Sequence, residues 1–359
     1  MTEESVSAST VDPPGVELIA RSHREASTSA AEETNVPSPK RPRKAHQFLP
    51  GMPWAERETL PGRQQELDRL VDLVLDRRPV ALLGQRRSGK TSLLRHLGRR
   101  LSAEREVIYV SLDGHRIVDK DDLALALSPA NLDDKKGAAR RILVDLATPK
   151  RVYLIDELAY LTTSDQTALG WLRQLWGKKG GVVLAGTPWD WGQLIERSGR
   201  VVPGSSFGND LTREDVGALS KLHAIEFLIG NSGEDKRLDE AAALRIIERC
   251  GTWPYYLNVM GEAVLRTDRE IDEQTVERAY DNALLHGAGA IFKARGKELP
   301  TLIGNLLLAH PGALPDYYQL DRALRLKLLD VGLCTPAGQW LEDRPFYDWI
   351  ERFACEEEL

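Results

Sequence analysis

The sequence predicts an α/β protein, a parallel sheet covered on both faces by helices. Three observations carry this. Short, nearly continuous apolar runs recur at 80–83, 107–112, 152–155 and 182–185. Amphipathic helical stretches lie between them, as at 91–101, 138–146 and 166–176. Strands buried on both sides read this way, and crossover helices bury them. Finally, the first run passes straight into a glycine-bearing loop and then a helix, the arrangement that presents backbone N–H groups to an anion.

Taken in order, the chain opens with a different texture. Residues 1–50 hold seven Ser and six Pro but one aromatic residue, Phe48. Such a stretch buries too little apolar surface to offset its ordering entropy, so a disordered tail is expected. It contains the basic run Lys40-Arg41-Pro42-Arg43-Lys44, read as a solvated linker or as a contact for nucleic acid or an acidic partner. From Leu60 the pattern becomes globular. Leu60-Pro61-Gly62-Arg63 is a turn, and Leu67, Leu70, Val71 and Val74 share one helix face. Arg77-Arg78-Pro79 ends that helix before the strand at 80–83. Thr212-Arg213-Glu214-Asp215 reads as an N-cap with an acidic first helical turn, leaving a fifth strand unplaced.

Composition narrows the class. The chain has 359 residues, with 48 Lys+Arg against 54 Asp+Glu, a net charge of −6. At roughly 100–200 residues per domain, two or three folded units are expected. No apolar run approaches the ~20 residues of a membrane helix, and no secretory leader is expected. Cys250, Cys334 and Cys355 form neither a disulfide framework nor a zinc pattern, so a reducing, cytoplasmic setting fits. No His pair has metal-ligand spacing. Trp171, Trp176, Trp189 and Trp191 bracket the fourth run and read as core or interface anchors more readily than as base-stacking platforms.

The loop is Gly84-Gln85-Arg86-Arg87-Ser88-Gly89-Lys90-Thr91, G-x-x-x-x-G-K-T between strand and helix. Glycines let the backbone approach phosphates, Lys90 brings positive charge to them, and Thr91 offers a hydroxyl to Mg²⁺. The second half of the site is Val152-Tyr153-Leu154-Ile155-Asp156-Glu157. A buried strand would deliver both carboxylates to the edge where open α/β sheets bind ligands. Asp156 then supports Mg²⁺, and Glu157 orients and deprotonates an attacking water. Thr187, after the run at 182–185, either senses the γ-phosphate or caps the turn that Pro188 opens.

Gly84 through Thr91, followed by Ser92-Leu93-Leu94, resembles the phosphate loop of archaeal-type ATPases of the STAND group, relatives of AAA+ origin-recognition proteins. Leu60-Pro61-Gly62-Arg63 resembles their opening motif, which lies near the adenine in relatives. Cys250-Gly251-Thr252-Trp253-Pro254 resembles the Gly-x-Pro signature of their helical lid. The resemblance implies a P-loop NTPase core (ASCE, AAA+-like) over 51–230, a helical lid over 231–290 and a winged-helix-like domain over 291–359. It implies ATP with Mg²⁺; no guanine-reading N-K-x-D motif is present. It places nucleotide at Arg63, the phosphate loop through Ser92, and Pro254. It also calls for an arginine supplied to a neighbour's nucleotide, but Asn209 stands where that residue is expected, leaving Arg197, Arg200 or none. Hydrolysis is accordingly expected to be slow.

Residues 290–359 hold eight Lys+Arg and eleven Asp+Glu, a local −3. A duplex-reading module shows a basic face instead. Protein contact or self-association, switched by ATP, is therefore favoured over a DNA-handling ATPase or a non-hydrolysing nucleotide sensor.

Overall fold

The computed structural model describes residues 16–19, 48, 60–128, 151–177, 181–201, 210–233, 238–267, 271–287, 289, 292–293, 316–334, 338, 340 and 343–350. The expected helix at 138–146, the basic run 40–44 and Asn209 lie outside them. Its centre is a six-stranded sheet. The strands are β1 (Val16–Ile19), β2 (Val80–Gly84), β3 (Glu106–Ser111), β4 (Arg151–Asp156), β5 (Gly181–Gly186) and β6 (Thr212–Val216). Their order is β1-β3-β4-β5-β2-β6. The last five are parallel, with Val80 beside Val183 and Thr212, and Tyr153 beside Val182.

Two strands depart from the expectations. Thr212–Val216 is β6, hydrogen-bonded beside β2, and not a helix start. Its side chains alternate in burial, with Arg213, Asp215 and their salt bridge on the outer side. That alternation belongs to an edge strand with one wet face, and its polar letters hid it among turn residues. Within the expected tail, Val16–Ile19 pairs antiparallel with β3, Val16 opposite Val110. An unpaired β3 edge would leave backbone groups open, and a short apolar segment covers them. Phe48, in the same stretch, is fully buried against Phe227 and Gly261.

The helices cover both faces. α1 (Gln64–Leu75) and α2 (Lys90–Leu101) pack on one side with Leu67, Leu70, Leu93, Leu94 and Leu97 inward. α3 (Lys120–Ala126), α4 (Gln166–Gly177) and α5 (Pro188–Val201) bury Leu123, Leu172, Leu194, Trp171 and Trp191 on the other. Trp171 and Trp191 are thus core residues.

A helical group follows: α6 (Lys221–Asn231), α7 (Glu240–Cys250), α8 (Pro254–Leu265) and α9 (Glu273–Ala279), which runs into a π-helical turn, Tyr280–His286. α6 packs on α7 and α8, so this group begins before the expected boundary at 231. Ser220, Asp239 and Asp272 cap α6, α7 and α9 through side-chain oxygens. Gly251, at φ 74°, stops α7, and Pro254 opens α8. The C-terminal part contributes α10 (Arg322–Val331), a Cys334–Trp340 bridge and α11 (Arg344–Trp349). Arg249 ties α7 to the rest: its guanidinium meets Glu277 at 2.8 Å and Asp348 at 2.9 Å and lies 3.5 Å from the Tyr280 ring centre. Cys250 and Cys334 are buried free thiols, and burial pushes the Cys334 thiol up to about 12. Among the described residues no helix is long and apolar enough to cross a membrane.

Candidate functional site

The sheet order determines the site. β5 lies between β2 and β4, so the phosphate loop, Thr187 and Asp156-Glu157 emerge side by side at the carboxyl edge. Open parallel sheets bind ligands at this edge.

The loop between β2 and α2 is shaped by two glycines. A Cβ on Gly84 would sit 2.5 Å from the Val216 carbonyl oxygen and 2.6 Å from Ser88 Oγ, so only glycine lets β2 and β6 close up here. Gly89, at φ 96°, turns the chain into α2. Arg87 holds a left-handed backbone at φ 64°, a strained choice for a residue with a Cβ. Lys90 Nζ donates to the carbonyls of Gly84 at 3.0 Å and Gln85 at 2.8 Å.

Thr91 Oγ1 donates to Asp156 Oδ2 at 2.7 Å, joining two residues 65 apart in the chain. Tyr109 OH reaches the same oxygen at 3.1 Å, and the Glu157 N–H donates to Oδ1 at 2.9 Å. Asp156 is only 1% exposed. Burial and the Asp156 charge push the Tyr109 phenol well up. Glu157, at φ 62°, opens onto the cleft. Its crowded surroundings raise its carboxyl above the ordinary range, and the Asp156 charge adds to this while Lys90 opposes it.

These groups line a cleft of about 590 Å³. One end is polar, with Lys90, Thr91, Asp113, Glu157, Thr187 and Asp190. The other is largely apolar, with Leu60, Pro61, Leu219, Phe227, Pro254 and Tyr255. Arg63, Arg86, Arg87, Ser88, Gly89 and Ser92 also line it, so most expected nucleotide contacts converge.

Arg63 is 6% exposed. It donates to the Ser88 carbonyl at 3.4 Å, to the Gly217 carbonyl, and to Glu66 at 2.9 Å. It clamps the phosphate loop to the β6 end and so acts as a positioning group. Gln85 does not face the cleft: its side chain lies against Gly332 and lines a second cavity of about 580 Å³ behind the loop. Thr187 lines the cleft, yet its hydroxyl accepts from the Asp190 N–H at 3.1 Å, and the Thr187 N–H donates to Asp190 Oδ2 at 3.0 Å, the oxygen its hydroxyl also reaches at 2.7 Å. Both capping bonds start α5, so the capping alternative describes its geometry. Arg197 donates to the Ser164 carbonyl at 2.7 Å and is not among the cleft residues.

Several residues of the site were missed, among them Asp190, Asp113, Tyr109 and Asn258. Asp190 had a signal, an acidic residue three after Thr187. Asp113 follows β3 at the ligand edge, where the Tyr160 hydroxyl donates to it. Tyr109 and Asn258 carry no pattern of their own. Tyr255 and Tyr256 separate: Tyr255 faces the cleft under the Arg87 guanidinium at 4.4 Å, and Tyr256 is buried and donates to Asp343 at 3.1 Å.

The residues fit a nucleotide and its Mg²⁺. Ser88 Oγ, fully buried in the loop, has no protein partner, and Gly89, Lys90, Thr91 and Ser92 at the start of α2 line the cleft. Thr91 and Asp156 bring together the hard oxygen donors that Mg²⁺ takes. No cluster of three His, Cys, Asp or Glu suited to another metal occurs among the described residues.

Residues 74–194 match a family described as the AAA domain. A Walker-type ATPase of Pyrococcus abyssi superposes with a TM-score of 0.59 at 19% identity, covering 84% of this chain and 99% of that one. The S. cerevisiae Hsp104–ADP complex aligns at TM-score 0.43 and 16% identity over 68% of this chain and 46% of that one. C. elegans PCH-2 aligns at 0.38 and 13%, over 60% and 65%. No curated protein matches the sequence. The first superposition supports the fold, and with the loop, the carboxylate strand and the strand order it shows that the core of this chain is a P-loop NTPase fold.

Proposed function

We propose that this chain binds ATP with Mg²⁺, hydrolyses it slowly, and uses the nucleotide state to control contact with a protein partner or with further copies of itself. The observation that supports this most is the 2.7 Å bond between Thr91 and Asp156, beside Glu157 and under the phosphate loop. Thr91 and Asp156 would hold the magnesium ion, which supplies charge neutralisation at the phosphate oxygens. Lys90 and the loop N–H groups bind the phosphates. Glu157 positions water and takes its proton, a role its raised carboxyl suits. Thr187 and Asp190, at the root of α5, would relay the presence of a γ-phosphate. α5 packs against α10, which gives the C-terminal part, read as winged-helix-like, a route to the nucleotide; the helical group would close as a lid. Slow hydrolysis is proposed because Asn209 stands where the resemblance calls for an arginine supplied by a neighbour, and an arginine finger is worth roughly 10³–10⁵ in rate.

Phosphate release with Mg-ATP tests the reading. Lys90→Ala should abolish both binding and release. Glu157→Gln should bind ATP but release phosphate about a hundredfold more slowly. Turnover at the parent rate in Glu157→Gln would remove Glu157 as the base.

A further inference from the structure

Two hydroxyls converge on one oxygen of Asp156. Thr91 Oγ1 donates to Oδ2 at 2.7 Å, and Tyr109 OH donates to the same atom at 3.1 Å. The other oxygen, Oδ1, accepts the Glu157 N–H at 2.9 Å. An ionised carboxylate offers about four lone-pair sites, two on each oxygen, so Oδ2 is fully used. Turning the carboxylate would break one of these bonds in a place only 1% exposed, where water has little room to replace it.

Thr91 lines the cleft, and Asp156 is buried behind it. Because Thr91 gives its proton to Asp156, its oxygen keeps its lone pairs for the cleft, and hard cations take oxygen lone pairs. The aim of that hydroxyl therefore depends on where Oδ2 stands.

Tyr109 is built to hold Oδ2. It lies on β3 two residues before Ser111, and Ser111 is in register with Asp156 on β4. Side chains two apart on a strand share a face, so Tyr109 and Asp156 project to the same side of the sheet, toward α2. Tyr109 is 3% exposed between Ile108 and Val110 in a strand whose centre is buried. A phenylalanine ring would fill the same space, and only the hydroxyl reaches the carboxylate. The ring itself is held from α2: the Arg95 guanidinium lies 4.7 Å from its centre, one helical turn beyond Thr91. One helix thus supplies both the hydroxyl bound to Asp156 and the cation on the tyrosine that steers it.

We propose that Tyr109 is a positioning residue for the magnesium ion: it fixes Asp156 Oδ2, and through it the aim of the Thr91 hydroxyl at the cation. Tyr109 is not among the cleft residues, so it acts without touching the nucleotide. This rests on the Mg-ATP reading of the cleft, and it adds a residue from a strand that carries neither the phosphate loop nor the two carboxylates.

The test is equilibrium binding of ATP to the full chain, in EDTA and across a titration of magnesium chloride. Tyr109→Phe removes one oxygen and keeps the ring. The magnesium concentration that half-saturates the ATP complex should rise about tenfold, as it does when the partner behind a metal ligand is removed. ATP affinity in EDTA should stay within about twofold of the parent, because the loop and Lys90 are untouched. A tyrosine that merely filled the core would weaken ATP alike with and without magnesium when altered. That parallel loss overturns the proposal, as does a magnesium half-saturation that does not move. Loss of ATP binding in EDTA marks Tyr109 as a folding residue and overturns it too. If the wild type binds no ATP, or binds it without any response to magnesium, the Mg-ATP reading itself falls and takes this assignment with it.

Discussion

Replacing Arg63 by Met tests whether the phosphate loop is held in shape from behind. Met keeps the apolar stem and removes the charged fork. The side chain is 7% exposed and donates to Gly217, Glu66 and, at 3.4 Å, Ser88. A hydrogen bond involving a charged group contributes about 1.5–3 kcal/mol, and the Gly217 bond belongs in that range. The long Ser88 contact adds little, and the half-open Glu66 pair adds about 0.5 kcal/mol. The expected loss is about 2–4 kcal/mol. At about 2–4 °C per kcal/mol for a chain of this size, Tm falls by about 4–16 °C. Freed of its clamp, the Ser88 carbonyl should let the loop relax, and Mg-ATP should bind about tenfold more weakly. Arg63→Lys should recover only the Glu66 pair, because an ammonium cannot span two carbonyls as the planar fork does. Thermal melting and ATP titration of the three proteins decide the matter. A Tm within about 1 °C of the parent, with ATP affinity unchanged in Arg63→Met, would refute the clamp.

Two other outcomes concern Glu157 and Phe48. Partial desolvation and the neighbouring Asp156 charge raise the Glu157 carboxyl, so the folded state binds its proton more tightly than the unfolded chain does. The sign is then that ionised Glu157 destabilises the ligand-free fold above the ordinary carboxylate range, and this cost disappears as pH falls below that range. Glu157→Gln should therefore raise Tm at neutral pH and match the parent near pH ~3, where both side chains are neutral; a variant less stable at neutral pH contradicts this. Phe48 is fully buried on Gly261, where a Cβ would lie 2.5 Å from its ring. Phe48→Ala should cost about 3–5 kcal/mol, read by urea denaturation, while a loss below about 1 kcal/mol would show that the segment before Leu60 is no part of the core.

What could be read in advance divides along physical lines. The four central strands and the loop were legible because a strand buried on both faces must be apolar throughout, and the turn from β2 into α2 needs glycine where a Cβ would collide with β6 or where φ is positive. β6 was not, because an edge strand with a wet face spells itself Thr-Arg-Glu-Asp, the letters of a helix cap. β1 was hidden for a related reason: four residues in a Ser- and Pro-rich stretch have no pattern until the β3 edge offers them hydrogen bonds. At the site, Lys90, Thr91, Asp156 and Glu157 were legible from spacing and strand context. The direction of the Gln85 side chain was not legible, because a motif specifies the path of the backbone, while this side chain points behind the loop toward Gly332. Thr187 carried two readings; its bonds to Asp190 cap α5, and the γ-phosphate role stays with the proposal.

By itself the sequence determined the chemistry of the phosphate end, because that chemistry needs contiguous residues: successive N–H groups, a lysine and a hydroxyl on one loop, and two carboxylates at one strand end. Only the tertiary structure decided the rest. It brought Thr91 to Asp156 across 65 residues, set Arg63 behind the loop, and gathered Leu60, Phe227, Tyr255 and Asn258 at the far end of the cleft. Leu60, Phe227 and the α8 residues come from separate elements with no fixed spacing between them, so only packing could place them together.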